Sequence, residues 1–117
     1  MNNLNGNKVI LSGLVSSKLD LDGLLIPLRE KIKSHGGNLV GELIQRRGVS
    51  RSKGSGGSKK LDQPLSRETY ISSGKVDELI LLTEQNNCDL ILFVNELSEQ
   101  QKRNLKDLIG VNIDVIK

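Results

Sequence analysis

An α/β fold on a small, mostly parallel β-sheet is the class that this 117-residue chain predicts. Three observations carry it. Short runs of Leu, Ile and Val alternate with stretches whose apolar residues recur at helical spacing, the order expected of βαβ units. The run at 89–94 (DLILFV) is apolar almost throughout, as in a strand covered on both faces. Turn and stop residues, Gly36-Gly37 and Asn86-Asn87 among them, separate these segments. The length suits one domain, 1–117, with helices flanking the sheet.

The elements follow in order. Residues 8–14 (KVILSGL) read as a buried strand. Leu21, Leu24, Leu25, Leu28 and Ile32 then fall on one face of a helix, with Asp20 and Asp22 as candidate caps. Pro27 sits awkwardly in that pattern, because proline inside a helix costs about 3 kcal/mol. Two outcomes satisfy it, a helix that starts near Ile26 or one that kinks there. Gly36-Gly37 stops the helix. Residues 38–45 (NLVGELIQ) are the second strand, and 68–71 (ETYI) read as a short third one.

Ser72-Ser73-Gly74 opens a helix over 75–85, with Val76, Leu79, Ile80 and Thr83 on one face and Asp77 and Glu78 in its first turn, where the helix dipole favours them. After the strand at 89–94, the last helix spans 97–109. Ser98 and Gln101 form a capping box there, and Leu105, Leu108 and Ile109 supply the buried face. Val111, Ile113 and Val115 alternate as a final edge strand.

Charge is distributed unevenly. Residues 46–60 (RRGVSRSKGSGGSKK) contain Arg46, Arg47, Arg51, Lys53, Lys59 and Lys60, no acid, and a single apolar residue, Val49. Such a stretch has little to bury and reads as a long flexible loop, reaching to about Arg67 and projecting from the sheet rim between two strands. The chain carries 17 Lys and Arg against 14 Asp and Glu, a net of +3; without those six cations the balance is 11 against 14, a net of −3. A basic loop on an acidic body suggests one directed contact with a polyanion, in the way that a phosphate backbone is gripped. Aromatic residues make up 2%, Tyr70 and Phe93, too few to stack successive bases. Any RNA contact is therefore expected to be with backbone and shape.

Other classes find little support. No apolar run approaches the ~20 residues that a membrane-spanning helix needs. The N-terminus has no signal-peptide pattern. One cysteine, Cys88, cannot form an internal disulfide, which makes a reducing, intracellular compartment the expectation. Ser73, Gly74 and Lys75 form a candidate anion-binding turn at a helix N-terminus. The full P-loop spacing is missing, however, and Val76 stands where a magnesium-binding hydroxyl belongs. His35, the single histidine, lies near a helix C-terminus, where a positive charge is favourable. No His, Cys or Asp cluster has metal-ligand spacing. No catalytic constellation, metal, cofactor or small-molecule substrate is expected.

Three segments together carry a resemblance. Residues 36–51 (GGNLVGELIQRRGVSR), 69–79 (TYISSGKVDEL) and 93–105 (FVNELSEQQKRNL) resemble the N-terminal domain of HflX-type GTPases, in that family's order and spacing and in its subgroup with a long basic loop. The likeness runs from about Lys8 over nearly the whole chain. It implies a small, mostly parallel α/β sheet in a cytoplasmic protein that associates with the large ribosomal subunit and splits or rescues ribosomes. In that setting this domain approaches the peptidyl transferase region, and a separate downstream domain hydrolyses GTP. Arg46, Arg47 and Arg51 match the family's basic segment and become the expected rRNA contacts. Lys53, Lys59 and Lys60 join them on charge alone. Gly74-Lys75 and Arg103-Asn104 match further motif positions.

Ser72 stands where the family usually has Gly, Asn95 where Asp is common, and Glu99 where Pro is common. No GKS or GKT P-loop and no NKxD motif is present, so this polypeptide is not expected to hydrolyse GTP. It reads as a fragment or as a stand-alone version of the domain. A second reading, from another class, is a regulatory protein–protein or nucleotide-sensing domain. There the basic stretch is a disordered connector, and the turn at 72–75 binds the ligand.

Overall fold

The computed structural model describes residues 4–47 and 67–116. Within them the order is β1 (Lys8–Val15), α1 (Leu21–Ser34), β2 (Asn38–Arg46), α2 (Ser73–Asn86), β3 (Leu90–Phe93), α3 (Glu99–Ile109) and β4 (Asn112–Val115). The four strands form one sheet in the order β2-β1-β3-β4, and every neighbouring pair is parallel. The expected α/β class is present, and four of the five expected strands form the sheet. The two inner strands are the most apolar, and β4 lies at an edge.

Alternation along the strands divides the core in two. On one face Ile10, Leu14, Ile91 and Phe93 pack with Val76 and Leu79 of α2 and Leu105 of α3. On the other, Val9, Leu11 and Leu92 pack with Leu25 and Ile32 of α1, closed by Leu4 and Ile116. One irregularity interrupts the register. Val9 pairs with Leu39 but Ile10 pairs with Gly41, so Val40 is an extra residue in β2.

Several expectations need correction. α1 starts at Leu21 and takes Pro27 into its interior, so the start near Ile26 does not occur. The apolar stripe explains this: Leu25 and Ile32 are buried against the sheet on either side of an exposed proline, and packing outweighs one missing hydrogen bond. Asp20 holds the N-cap position but makes no capping hydrogen bond with its side chain. The stop is as expected, with Gly36 at φ 88° just past His35.

Residues 68–71 are not a strand. They form a turn with an isolated bridge at Tyr70. Tyr70 has φ 73°, a value that side-chain-bearing residues rarely adopt; the Ile71 amide donates to the Thr69 carbonyl (2.8 Å) and Thr69 Oγ1 donates to the Ile71 carbonyl (2.9 Å). α2 begins at Ser73, two residues earlier than expected, so Asp77 and Glu78 lie beyond its first turn. In α3 the capping box between Ser98 and Gln101 is present and Leu105 is fully buried, but Leu108 is 57% exposed, not part of the core. The stretch 48–66, with most of the basic loop, lies outside the described residues.

Candidate nucleic-acid interface

Because the strands are parallel, their carboxyl ends share one rim. β1 leaves that rim into the Ser16–Asp20 linker, β2 ends there at Arg46, and β3 runs into Val94-Asn95. The helices run back antiparallel to the strands, which brings the N-termini of α2 and α3 to the same end. Side-chain hydrogen bonds stitch this rim together. Gln45 Oε1 accepts from the Ser72 amide and Gln45 Nε2 donates to Ser72 Oγ, both at 2.9 Å, joining the end of β2 to the start of α2. From α3, Gln101 Nε2 donates to the Arg67 carbonyl (3.2 Å) and Asn104 Nδ2 to the Glu68 carbonyl (3.1 Å). The chain on either side of 48–66 is thus anchored.

The expected contact residues divide between described and undescribed parts. Arg51, Lys53, Lys59 and Lys60 lie outside the described residues. Arg46 is exposed, and its guanidinium is engaged: Nη1 donates to the Ser17 carbonyl (2.8 Å) and Nη2 to the Leu19 carbonyl (3.3 Å). Arg47 is half-buried, and its amide donates to the Val15 carbonyl at 2.9 Å. Lys18 and Arg67 are exposed on the same rim, but so are Asp20, Glu68 and Glu96. Among the described residues the rim is therefore of mixed charge, and a strongly positive interface rests on the 46–60 stretch as a whole.

The turn at Ser73, Gly74 and Lys75 is the first turn of α2, with Ser73 and Gly74 exposed. Ser72 Oγ already caps it by accepting from the Lys75 amide at 3.3 Å, and Lys75 Nζ pairs with Glu78 at 3.0 Å. His35 Nδ1 lies 2.8 Å from the Lys31 carbonyl, which can only accept, so that nitrogen carries the proton and the ring serves as a helix cap. Cys88 is buried, and that burial pushes its thiol pKa up, away from a reactive thiolate. Among the described residues no group of His, Cys, Asp and Glu could hold a metal ion.

In the sequence Asn95 stands out only as a departure from the Asp that is common in HflX-type domains, yet it governs the centre of the rim. In an open parallel sheet, ligands favour the crevice at the carboxyl ends where the strand order reverses, here between β1 and β3. Asn95 occupies it. Its Oδ1 accepts from the Leu14 amide (2.7 Å) and its Nδ2 donates to the Leu14 carbonyl (2.9 Å). An asparagine right after a buried strand is a weak signal, since its partner is 81 residues away. Asn95→Ala strands a part-buried donor and acceptor and is expected to lower stability by about 2–3 kcal/mol, read as an earlier urea midpoint. Asn95→Asp should retain the Leu14 amide bond and lose only the donor.

Comparison with known proteins fits this frame. The profile described as "GTP-binding GTPase N-terminal" matches residues 25–116. The chain belongs to that family. A relative named GTPase HflX from Caldanaerobacter subterraneus subsp. tengcongensis is 30% identical over 106 residues, which are 91% of this chain and 21% of that protein. GTPase HflX of Alkalihalophilus pseudofirmus is 29% identical over 107 residues, 90% of this chain and 22% of its own length. The chain thus spans about a fifth of the length of these curated relatives. The HflX-type resemblance of the three segments is thereby supported, and this family domain carries the rim described above. Among solved structures, the ZnuA-like domain of Streptococcus pneumoniae AdcA aligns with 99% of the chain and 32% of its own, at 15% identity and a TM-score of 0.46, a likeness that carries no argument. No helix among the described residues is long and apolar enough to cross a membrane.

Proposed function

We propose that this domain is a non-enzymatic, cytoplasmic RNA-binding module that contacts large-subunit rRNA near the peptidyl transferase region, as part of or derived from a ribosome-splitting or rescue GTPase. The observation that carries the reading is the partition of charge: six cations and no acid in residues 46–60, on a body that is otherwise net negative. Arg46, Arg47, Arg51, Lys53, Lys59 and Lys60 replace the counterions condensed on phosphates. Glycine and serine between them let the backbone follow an irregular surface. The anchored chain on either side supports the reading, because Gln45, Arg47, Arg67 and Glu68 are all held at the same end of the sheet. The domain needs neither metal nor cofactor for this, and Ser73, Gly74 and Lys75 contribute at most a backbone phosphate contact.

The test is co-sedimentation with purified large ribosomal subunits across a salt series. With six contacts, and the duplex slope of about −0.9 per phosphate as guide, log K should fall against log salt with a slope near −5. Changing all six cations to Gln should abolish binding. A five-site version that keeps Arg46, and with it the contacts to Ser17 and Leu19, controls for folding and should lose nearly as much. Binding that survives the five-site change overturns the proposal. The nucleotide-sensing alternative places its ligand at the turn 72–75, where Ser72 Oγ already accepts from the Lys75 amide and Lys75 Nζ pairs with Glu78. Saturable, micromolar heats with ATP or GTP in titration calorimetry would reinstate it.

A further inference from the structure

The chain has ten asparagines, and Asn5 alone precedes a glycine. Gly6 has no Cβ to shield its amide nitrogen from the Asn5 side chain, the arrangement that best allows a succinimide ring to close. Both residues are exposed at the tip of a tight turn, in which the Asn7 amide donates to the Leu4 carbonyl at 2.8 Å and Gly6 takes φ 80°. The turn belongs to a clasp across the end of α1 and the start of β2. The Leu4 amide donates to the His35 carbonyl (2.8 Å), the Gly6 amide to the Gly36 carbonyl (3.2 Å) and the Asn38 amide to the Asn7 carbonyl (2.8 Å). Leu4 anchors the clasp, buried in the core face that α1 covers. Asn5 lies over Gly36: a Cβ added there would be 2.8 Å from Asn5 Oδ1 and 3.0 Å from Asn5 Cα. A neutral amide thus sits at the negative end of the α1 dipole.

We infer that Asn5 is a site of spontaneous conversion to isoaspartate, and that the conversion unlocks this clasp. The Gly6 amide nitrogen gives its proton to solvent hydroxide and bonds to Asn5 Cγ. The Cγ–Nδ2 bond breaks, and the nitrogen leaves as ammonia with a proton from water. Water then opens the succinimide at one of its two carbonyls, giving aspartate or isoaspartate; no further reactant takes part. Asn5 is itself engaged in the folded state and the Gly6 amide is bonded to Gly36, so the reaction passes through an opened clasp. Reclosure is then impaired in two ways. Isoaspartate lengthens the main chain by one carbon between Leu4 and Gly6, so the two amides no longer match the carbonyls of His35 and Gly36. Either product also sets a carboxylate against the carbonyl-rich end of α1, which repels it. The inference goes beyond the RNA reading and does not rest on it, because the clasp lies at the amino ends of β1 and β2, opposite the candidate interface.

The experiment ages the full chain in mildly alkaline buffer and maps its peptides by mass spectrometry, with electron-based fragmentation to tell isoaspartate from aspartate. Conversion is expected at Asn5 ahead of the other nine asparagines, and more slowly than in the free peptide MNNLNGNK. The separated isoaspartate form should unfold at a lower urea midpoint. Its unfolding equilibrium should rise roughly ten- to hundredfold, as for exposing one buried leucine. Amide exchange at Leu4, Asn7 and Asn38 should accelerate with it. Asn5→Gln keeps the amide but must close a larger, slower ring, so this variant should hold the original midpoint and stay unconverted. Conversion first at another asparagine, or an Asn5 that stays intact while the free peptide is consumed, overturns the site. An isoaspartate form with the midpoint and exchange of the fresh chain overturns the unlocking.

Discussion

Gly13→Ala is expected to be among the most damaging single changes in this domain, lowering stability by about 4 kcal/mol. A Cβ built at Gly13 would lie 2.5 Å from Val94 Cγ2 and 2.8 Å from Asn95 Oδ1, with φ at +152°. Overpacking of a closed site costs about 1–3 kcal/mol, and a side-chain-bearing residue held in a rarely populated backbone region costs about 1–3 more. Val94 cannot yield easily, because its amide donates to the Ser12 carbonyl at 2.9 Å and lies 3.4 Å from the added atom. The close approach of β1 to the residues after β3 is what lets Asn95 reach Leu14. The variant should therefore lose those two hydrogen bonds as well as its packing. Urea unfolding should show a lower midpoint at unchanged slope, and amide exchange at Leu14 should accelerate even under native conditions.

Phe93→Ala is expected to cost about 3–5 kcal/mol, the range for emptying a buried aromatic site. Phe93 is fully buried and ends β3, an inner strand of only four residues. It packs on the face shared with α2 and α3, together with Leu79 and Leu105. Domains of this size are stable by about 5–15 kcal/mol, so the loss consumes a large share of the total. Phe93→Leu should recover most of it by refilling the space. A midpoint for Phe93→Ala equal to that of the unaltered chain would contradict the packing described for this face.

Much of this architecture is legible in the residues themselves. The run at 89–94 reads as an inner strand because nothing polar interrupts its middle, and Ser98 with Gln101 marks a helix start by local chemistry alone. What escapes the sequence depends on distant partners. Thr69, Tyr70 and Ile71 favour a strand intrinsically, yet Gln101 and Asn104, 34 and 36 residues away from their acceptors, hold the preceding carbonyls in a turn. Pro27 reads as a helix boundary until the sheet beneath α1 is known. Leu108 completes a helical stripe on paper, but the stripe is wider than the surface available to cover it. At the candidate interface, the cationic stretch is obvious from composition. The roles of Gln45, Asn95 and Asn104 are visible only once the strand ends are brought together.

Arg46 connects the two sides of the rim. Its side chain bridges from the end of β2 to the linker that leads into α1, through the carbonyls of Ser17 and Leu19. A phosphate that draws the guanidinium outward takes it from those carbonyls and slackens the linker. If Arg46 meets RNA as proposed, the amides of Ser17, Leu19 and the first turn of α1 are where the loss of these two bonds would register.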